Sequence, residues 1–263
     1  MKKKISPVLL AGVVLTVLVL AFSLVGTFYT PFDPTEMGAG ARYAAPSLSH
    51  PMGTDNFGRD LLSRVMEGAG TSFSIALAVV AIGAGIGVTA GAVSGYFGGV
   101  ADTLLSRLGD AVTAFPSILL ALVIVGVIGP GKRSVIPALG IVFIPSFARV
   151  SASAFRTLKT RPYVLAAKNW GVGPMRLLFR HLLPNALPSI LPALTIGFNN
   201  AVLAEAGLGF LGVGVTPPDA SLGLMLAEAQ GMLAVAPWYA ISVGAVIVLA
   251  VFGVGLIGEG LRE

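Results

Sequence analysis

Five stretches of this 263-residue chain contain no charged residue: Ile5 to Phe32, Gly68 to Ala101, Ala111 to Gly131, His181 to Ala204 and Ala229 to Gly258. Each is long enough for a helix to cross about 30 Å of hydrocarbon, which takes about 20 residues at 1.5 Å apiece. Charged residues make up only 11% of the chain, against roughly 25% in an ordinary soluble domain, so the expected solvent is a bilayer. A sixth run, Ser134 to Ala148, has fifteen residues before Arg149 and reaches spanning length if the helix continues to Phe155 with Arg149 snorkelling or facing protein. The reading is an all-α integral membrane domain of six transmembrane helices. The chain has no cysteine, which removes disulfides and thiol chemistry.

Lys2, Lys3 and Lys4 precede an apolar run, Val8 to Phe28, that is too long for a signal-peptide core and lacks a small-residue cleavage site, so it reads as an uncleaved first helix. The positive-inside rule then places the N-terminus in the cytoplasm, and six crossings return the C-terminus there. On this threading residues 1–30 hold the tail and first helix, 31–70 an extracytoplasmic loop, 71–258 a core of five helices, and 259–263 a cytoplasmic tail. In the loop five acids outnumber three arginines. Its turn-rich MGTDNFGRD predicts a folded cap, with Asp55, Arg59 and Asp60 contacting a binding protein or a partner subunit.

Several short motifs fail on context. GVIGPGK (Gly126 to Lys132) follows a membrane helix rather than a strand, and Arg133 stands where a P-loop needs a hydroxyl; GLGFLG (Gly207 to Gly212) has no βαβ unit around it. DNFGRD lacks the ligand alternation and closing Glu of a calcium loop. His50 and His181 fall on opposite sides of the membrane, so they cannot share a metal. No catalytic, metal or cofactor site is expected, and no nucleic-acid partner. Gly83, Gly87, Gly91 and Gly95 form a bare ridge on the second helix that lets a neighbouring backbone approach, within the subunit or across to another.

Between Arg156 and Arg180 stand six lysines or arginines and no acid. Tyr163, Ala166, Ala167 and Trp170 follow helical spacing after Pro162, GVGP breaks the pattern, and Met175, Leu178, Phe179 and Leu182 form a second stripe until Pro184 ends it. Two small amphipathic helices at a cytoplasmic bend are therefore expected, and an apolar helix face with no membrane to enter suits a partner's groove.

YVLAAKNWGVGPMRLLFRHLLPN resembles the EAA loop of bacterial ABC importer permeases through Ala166, Ala167, Gly171, Leu183 and Pro184. HPMGTDNFGRD, GYFGGVADTLLSRLGDAVTAFPSILLAL, AEAGLGFLGVGVTPP and GLIGEGLRE extend the likeness to the dipeptide, oligopeptide and nickel branch, from about Thr30 to the end. Leu165 replaces the acid usual before the two alanines, and Leu222 an aromatic common after TPP. The resemblance implies the type I importer fold with cytoplasmic coupling helices in the inner membrane. It also implies a homologous second permease, two ATP-binding cassette subunits carrying ATP and Mg, an extracytoplasmic solute-binding protein and surrounding membrane lipid. ATPase coupling would fall to Tyr163, Ala166, Ala167, Trp170, Gly171, Met175, Leu178, Phe179, Leu183 and Pro184. Short peptides are the expected solute, with nickel or metal-chelate solutes behind them, because no His, Cys or Met cluster marks a metal route. A secondary carrier driven by ion gradients is the alternative; it calls for inverted repeats and broken midplane helices.

Overall fold

A computed structural model describes residues 6–262, which leaves Lys2, Lys3 and Lys4 outside the described residues. The first helix, α1 (Pro7–Phe28), opens with proline at a position whose N–H would be unpaired in any case. A long loop follows. The second, α2 (Leu61–Phe97), starts on the Asp60 side chain, which accepts the Ser63 N–H at 2.8 Å. This start lies ten residues ahead of the loop boundary at residue 70 expected from charge. Arg64 and Glu67 do not end the helix, because Arg64 is neutralised by buried partners described below.

The run Ala111 to Gly131 is not one straight span. It is the end of α3 (Gly99–Thr113) followed by α4 (Ser117–Ile128), bent by 84°. Pro116 sits at the corner, where it cannot donate a hydrogen bond and disfavours helical backbone at Phe115. With 12 residues, α4 covers only about 18 Å. Among the described residues five helices are long and apolar enough to cross a membrane, and six spans result if the bent pair counts as one. α5 (Lys132–Leu158) carries the short sixth run through Arg149, as the continuation to Phe155 required; its guanidinium reaches Thr113 Oγ1 at 2.7 Å and Asp110 at 3.4 Å.

After α6 (Pro162–Asn169) the chain enters α7 (Pro174–Phe210), then α8 (Leu222–Gln230) and α9 (Pro237–Gly260). α7 overturns the expectation of a second small helix ending at Pro184. Residues Leu177–Leu182 widen into a π-helical turn, which leaves room for the Pro184 ring, and the Asn185 side-chain amide donates to the His181 carbonyl at 2.6 Å. The helix thus runs on, through Pro188 and Pro192 as well.

The glycine ridge packs inside the chain. A methyl group at Gly87 would lie 2.6 Å from the Ile144 carbonyl, and one at Gly95 2.6 Å from that of Ala152; Gly91 faces Ala148 and Ser151 as closely. Residue numbers rise together on the two sides, so α2 and α5 run parallel with their backbones in contact. Because the 29–60 loop enters α2 and the 159–173 segment leaves α5, those two segments cap opposite ends of the bundle. α1 lies along α9 in the opposite sense, with Gly12 against Leu256 and Gly260 against Leu9. Most buried apolar side chains form one core, and a smaller cluster of Phe155, Val164, Leu177, Leu178, Leu182, Ala186 and Ile190 sits at the α6 end.

Candidate functional site

Two polar regions cap the apolar body, one at each end. The first is the elbow between α5 and α7. Val164 is fully buried, and Leu177, Leu178 and Leu182 join it beneath the turn, so the small cluster roots the elbow on α5 and α7. The expected stripe of Met175, Leu178, Phe179 and Leu182 is therefore divided. Leu178 and Leu182 face the chain's own core, because α7 continues inward instead of protruding. Leu178 is thus corrected from a partner contact to an anchor. Left in the open are Trp170 (87% exposed), Met175 (67%), Phe179 (64%) and Tyr163 (41%). Ala166 and Pro184 are exposed too, while Ala167 and Leu183 are half-buried against the cluster. Arg161, Lys168, Arg176 and Arg180 surround this face, Lys168 with its ammonium 5.0 Å from the Tyr96 ring centre.

Gly171 makes the bend. The Val172 N–H returns to the Ala167 carbonyl (3.1 Å) and the Gly171 N–H to that of Lys168 (2.9 Å), a Schellman closure with Gly171 at φ +76°. A methyl group added there would meet nothing within 4 Å, so the demand is on the backbone angle alone. Gly171→Ala should cost about 1–2 kcal/mol, the penalty of a left-handed L-residue. The expected result is a chain that inserts normally but unfolds at a lower temperature in detergent than the native one.

The second region is the 29–60 loop. Sequence reading offered Asp55, Arg59 and Asp60 as contacts with another protein, and the structure corrects this. All three are buried, Asp55 and Asp60 completely. Asp55 accepts the Phe57 and Arg59 backbone N–H groups at 2.8 and 3.0 Å, Arg59 Nε at 2.6 Å and Arg64 Nη1 at 2.6 Å. Arg64 also donates to Glu228 of α8 (2.8 Å), which accepts the Tyr239 hydroxyl of α9. Asp60 caps α2 and holds His50 Nδ1 at 2.9 Å. The residues are consumed by a clasp that ties the loop to α2, α8 and α9. Turn chemistry signalled a folded loop. The partners Arg64, Glu228 and Tyr239 were missed, since nothing in sequence joins positions 164 and 175 residues apart.

The failed nucleotide motifs are turns. Gly129 and Gly131 take φ of +106° and +121° between α4 and α5, and Gly212 closes α7 with Val213 bonding back to Leu208 at 3.1 Å. Among the described residues no group of three His, Cys, Asp or Glu side chains is placed to hold a metal.

The chain is thus a bundle of membrane-length helices with a rooted, exposed elbow at one end. Residues 87–261 match the family described as binding-protein-dependent transport system inner membrane component, and the chain belongs to that family. As a member it is a transport subunit and not an enzyme. It is 37% identical over 260 residues to the dipeptide transport system permease protein DppC of Haemophilus influenzae, covering 97% of this chain and 88% of the relative. It is 36% identical to the di/tripeptide transport system permease protein DppC of Pseudomonas aeruginosa, covering 97% and 86%. Among solved structures, an inward-facing MetNI methionine ABC transporter chain superposes with a TM-score of 0.62 over 74% of this chain and 93% of its own, at 21% identity, which identifies the fold as that of a type I importer permease.

Proposed function

We propose that this chain is the membrane subunit of an ATP-driven importer of short peptides. It works beside a homologous second permease, two ATPase subunits and an extracytoplasmic binding protein, with both of its own termini in the cytoplasm. The observation that carries the reading is the elbow: Trp170, Met175 and Phe179 are exposed on a bend whose underside is fixed into the bundle. An exposed apolar face on a rigid root is what a groove in a motor subunit can grip and move. ATP closure would displace the elbow, and α7, continuous with it, would carry the displacement into the membrane. Peptides are the solute class because the relatives above are named for them; nothing comparable supports nickel.

Proteoliposome uptake tests this. Peptide accumulation should require ATP, the ATPase subunits and the binding protein together. Uptake driven by a proton or sodium gradient alone would assign the chain to the secondary carriers instead.

A further inference from the structure

A cavity of about 580 Å³ lies between α2, α3 and α5. Its walls are mostly apolar, from residues such as Leu105, Leu108 and Ala152 and, further along, Ile141 and Pro145, but two ion pairs stand along it. Partway along it Arg149 of α5 meets Asp110 of α3 at 3.4 Å, and about two turns away Arg156 meets Asp102. α3 buries none of its residues, so these two pairs, with the Arg149–Thr113 hydrogen bond, are its polar attachment to α5. Seven residues on α5 and eight on α3 separate the pairs, which at 1.5 Å per residue is about 11 Å. A fully extended tripeptide spans about 10–11 Å.

We infer that this cavity is a transient seat for a short zwitterionic peptide, with its ammonium group on Asp110 and its carboxylate on Arg156. The polarity follows from what each displaced side chain keeps. When Asp110 turns to the peptide, Arg149 retains Thr113 Oγ1 at 2.7 Å; when Arg156 turns, Asp102 retains the Ser94 and Ser106 hydroxyls. In the opposite polarity Asp110 and Arg156 would be stranded, since among the described residues neither has another side-chain partner. Both pairs are partly open to solvent, Asp110 at 71% and Arg149 at 60%, and exposed pairs of this kind contribute little stability, so exchanging them for the peptide's charges costs little. Leu105, Leu108 and Ala152, which lie between the two pairs, then face the peptide side chains without selecting among them. The inference rests on the peptide-import reading.

The test uses the full complex in nanodiscs without binding protein. Ala90→Cys places a single thiol at the cavity wall of a chain that has no other. Trialanine should protect it from maleimide, while N-acetyl-trialanine amide should not. Asp110→Asn and Arg156→Gln should each weaken protection about two- to fivefold, Asp110→Asn abolishing the preference for a free amino terminus and Arg156→Gln that for a free carboxylate. Arg149→Gln breaks the same pair as Asp110→Asn yet should leave protection equal or stronger, because it frees Asp110. Equal loss in Arg149→Gln and Asp110→Asn would mark a strut between α3 and α5 and overturn the seat, as would protection by the doubly blocked peptide. ATP-dependent peptide uptake with no protection removes the seat and leaves the function standing; protection with no uptake under any arrangement of partners supports the seat and removes the function.

Discussion

Replacing Trp170 and Phe179 together by alanine will strip the ATPase subunits from the complex while leaving this chain folded. Burial of each large apolar side chain is worth about 1.5–3 kcal/mol, so each truncation should weaken the contact by roughly ten- to a hundredfold and the pair by much more. The fold is spared because both rings are exposed, at 87% and 64%, and the cluster beneath contains neither. Arg176→Gln and Arg180→Gln remove only surface charge, worth at most about 1 kcal/mol in a pair. Detergent pull-down of the ATPase subunits on each variant gives the comparison. Retention by the double alanine variant with loss in the arginine variants would mean that charge, and not the aromatic face, makes the contact. Leu178→Ala is a third arm with a different expected outcome: at 5% exposure it should lower the thermal stability of the chain itself by about 2–5 kcal/mol.

The second large effect is expected at the other end. Asp55→Ala removes the acceptor that Arg59 and Arg64 share and leaves two buried guanidinium groups short of a counter-charge. Breaking a buried ion pair from one side costs about 3–5 kcal/mol, enough to loosen the loop from α2, α8 and α9. Limited proteolysis between Thr30 and Asp60 should become rapid, and the midpoint of thermal unfolding in detergent should fall by several degrees. Asp33→Asn is the matched control, because Asp33 is exposed and bonds only to Thr35 and its neighbours. If Asp55→Ala resisted proteolysis as the native chain does, the clasp would be a bystander to loop folding.

What could be read without coordinates followed the nature of each signal. Hydrophobic runs located the long helices of the bundle because a bilayer sets a minimum length for each span, and the bare glycine ridge announced a close backbone contact whose owner, α5, was left open. Reading helix ends from the nearest charge failed at Arg64, since a guanidinium with buried carboxylates around it can sit inside a helix. The same rule failed at Pro116, where the absence of charge concealed a right-angle break. In the elbow, Gly171 and the exposed aromatics were legible from turn chemistry and spacing. The fate of Leu178 was not, because a widened turn at Leu177–Leu182 shifts which side chains face inward and proline spacing alone does not reveal it. The pairings of Arg64 with Glu228 and of Arg149 with Asp110 depend on which helices are neighbours, and that is decided by packing.

Pro184, Pro188 and Pro192 stand four residues apart and so line up along one side of α7. Each lacks an N–H, so the carbonyls one turn before them on that side go without the usual donor, while the opposite side of the helix keeps its ladder. Such a rod is soft in one plane and stiff in the perpendicular one. On the proposed function, a force at Phe179 would therefore not be passed on as an even tilt. It would be converted into flexure about a single axis before it reached the stretch from Gly197 to Phe210, and the azimuth of that axis is written in the spacing of three prolines.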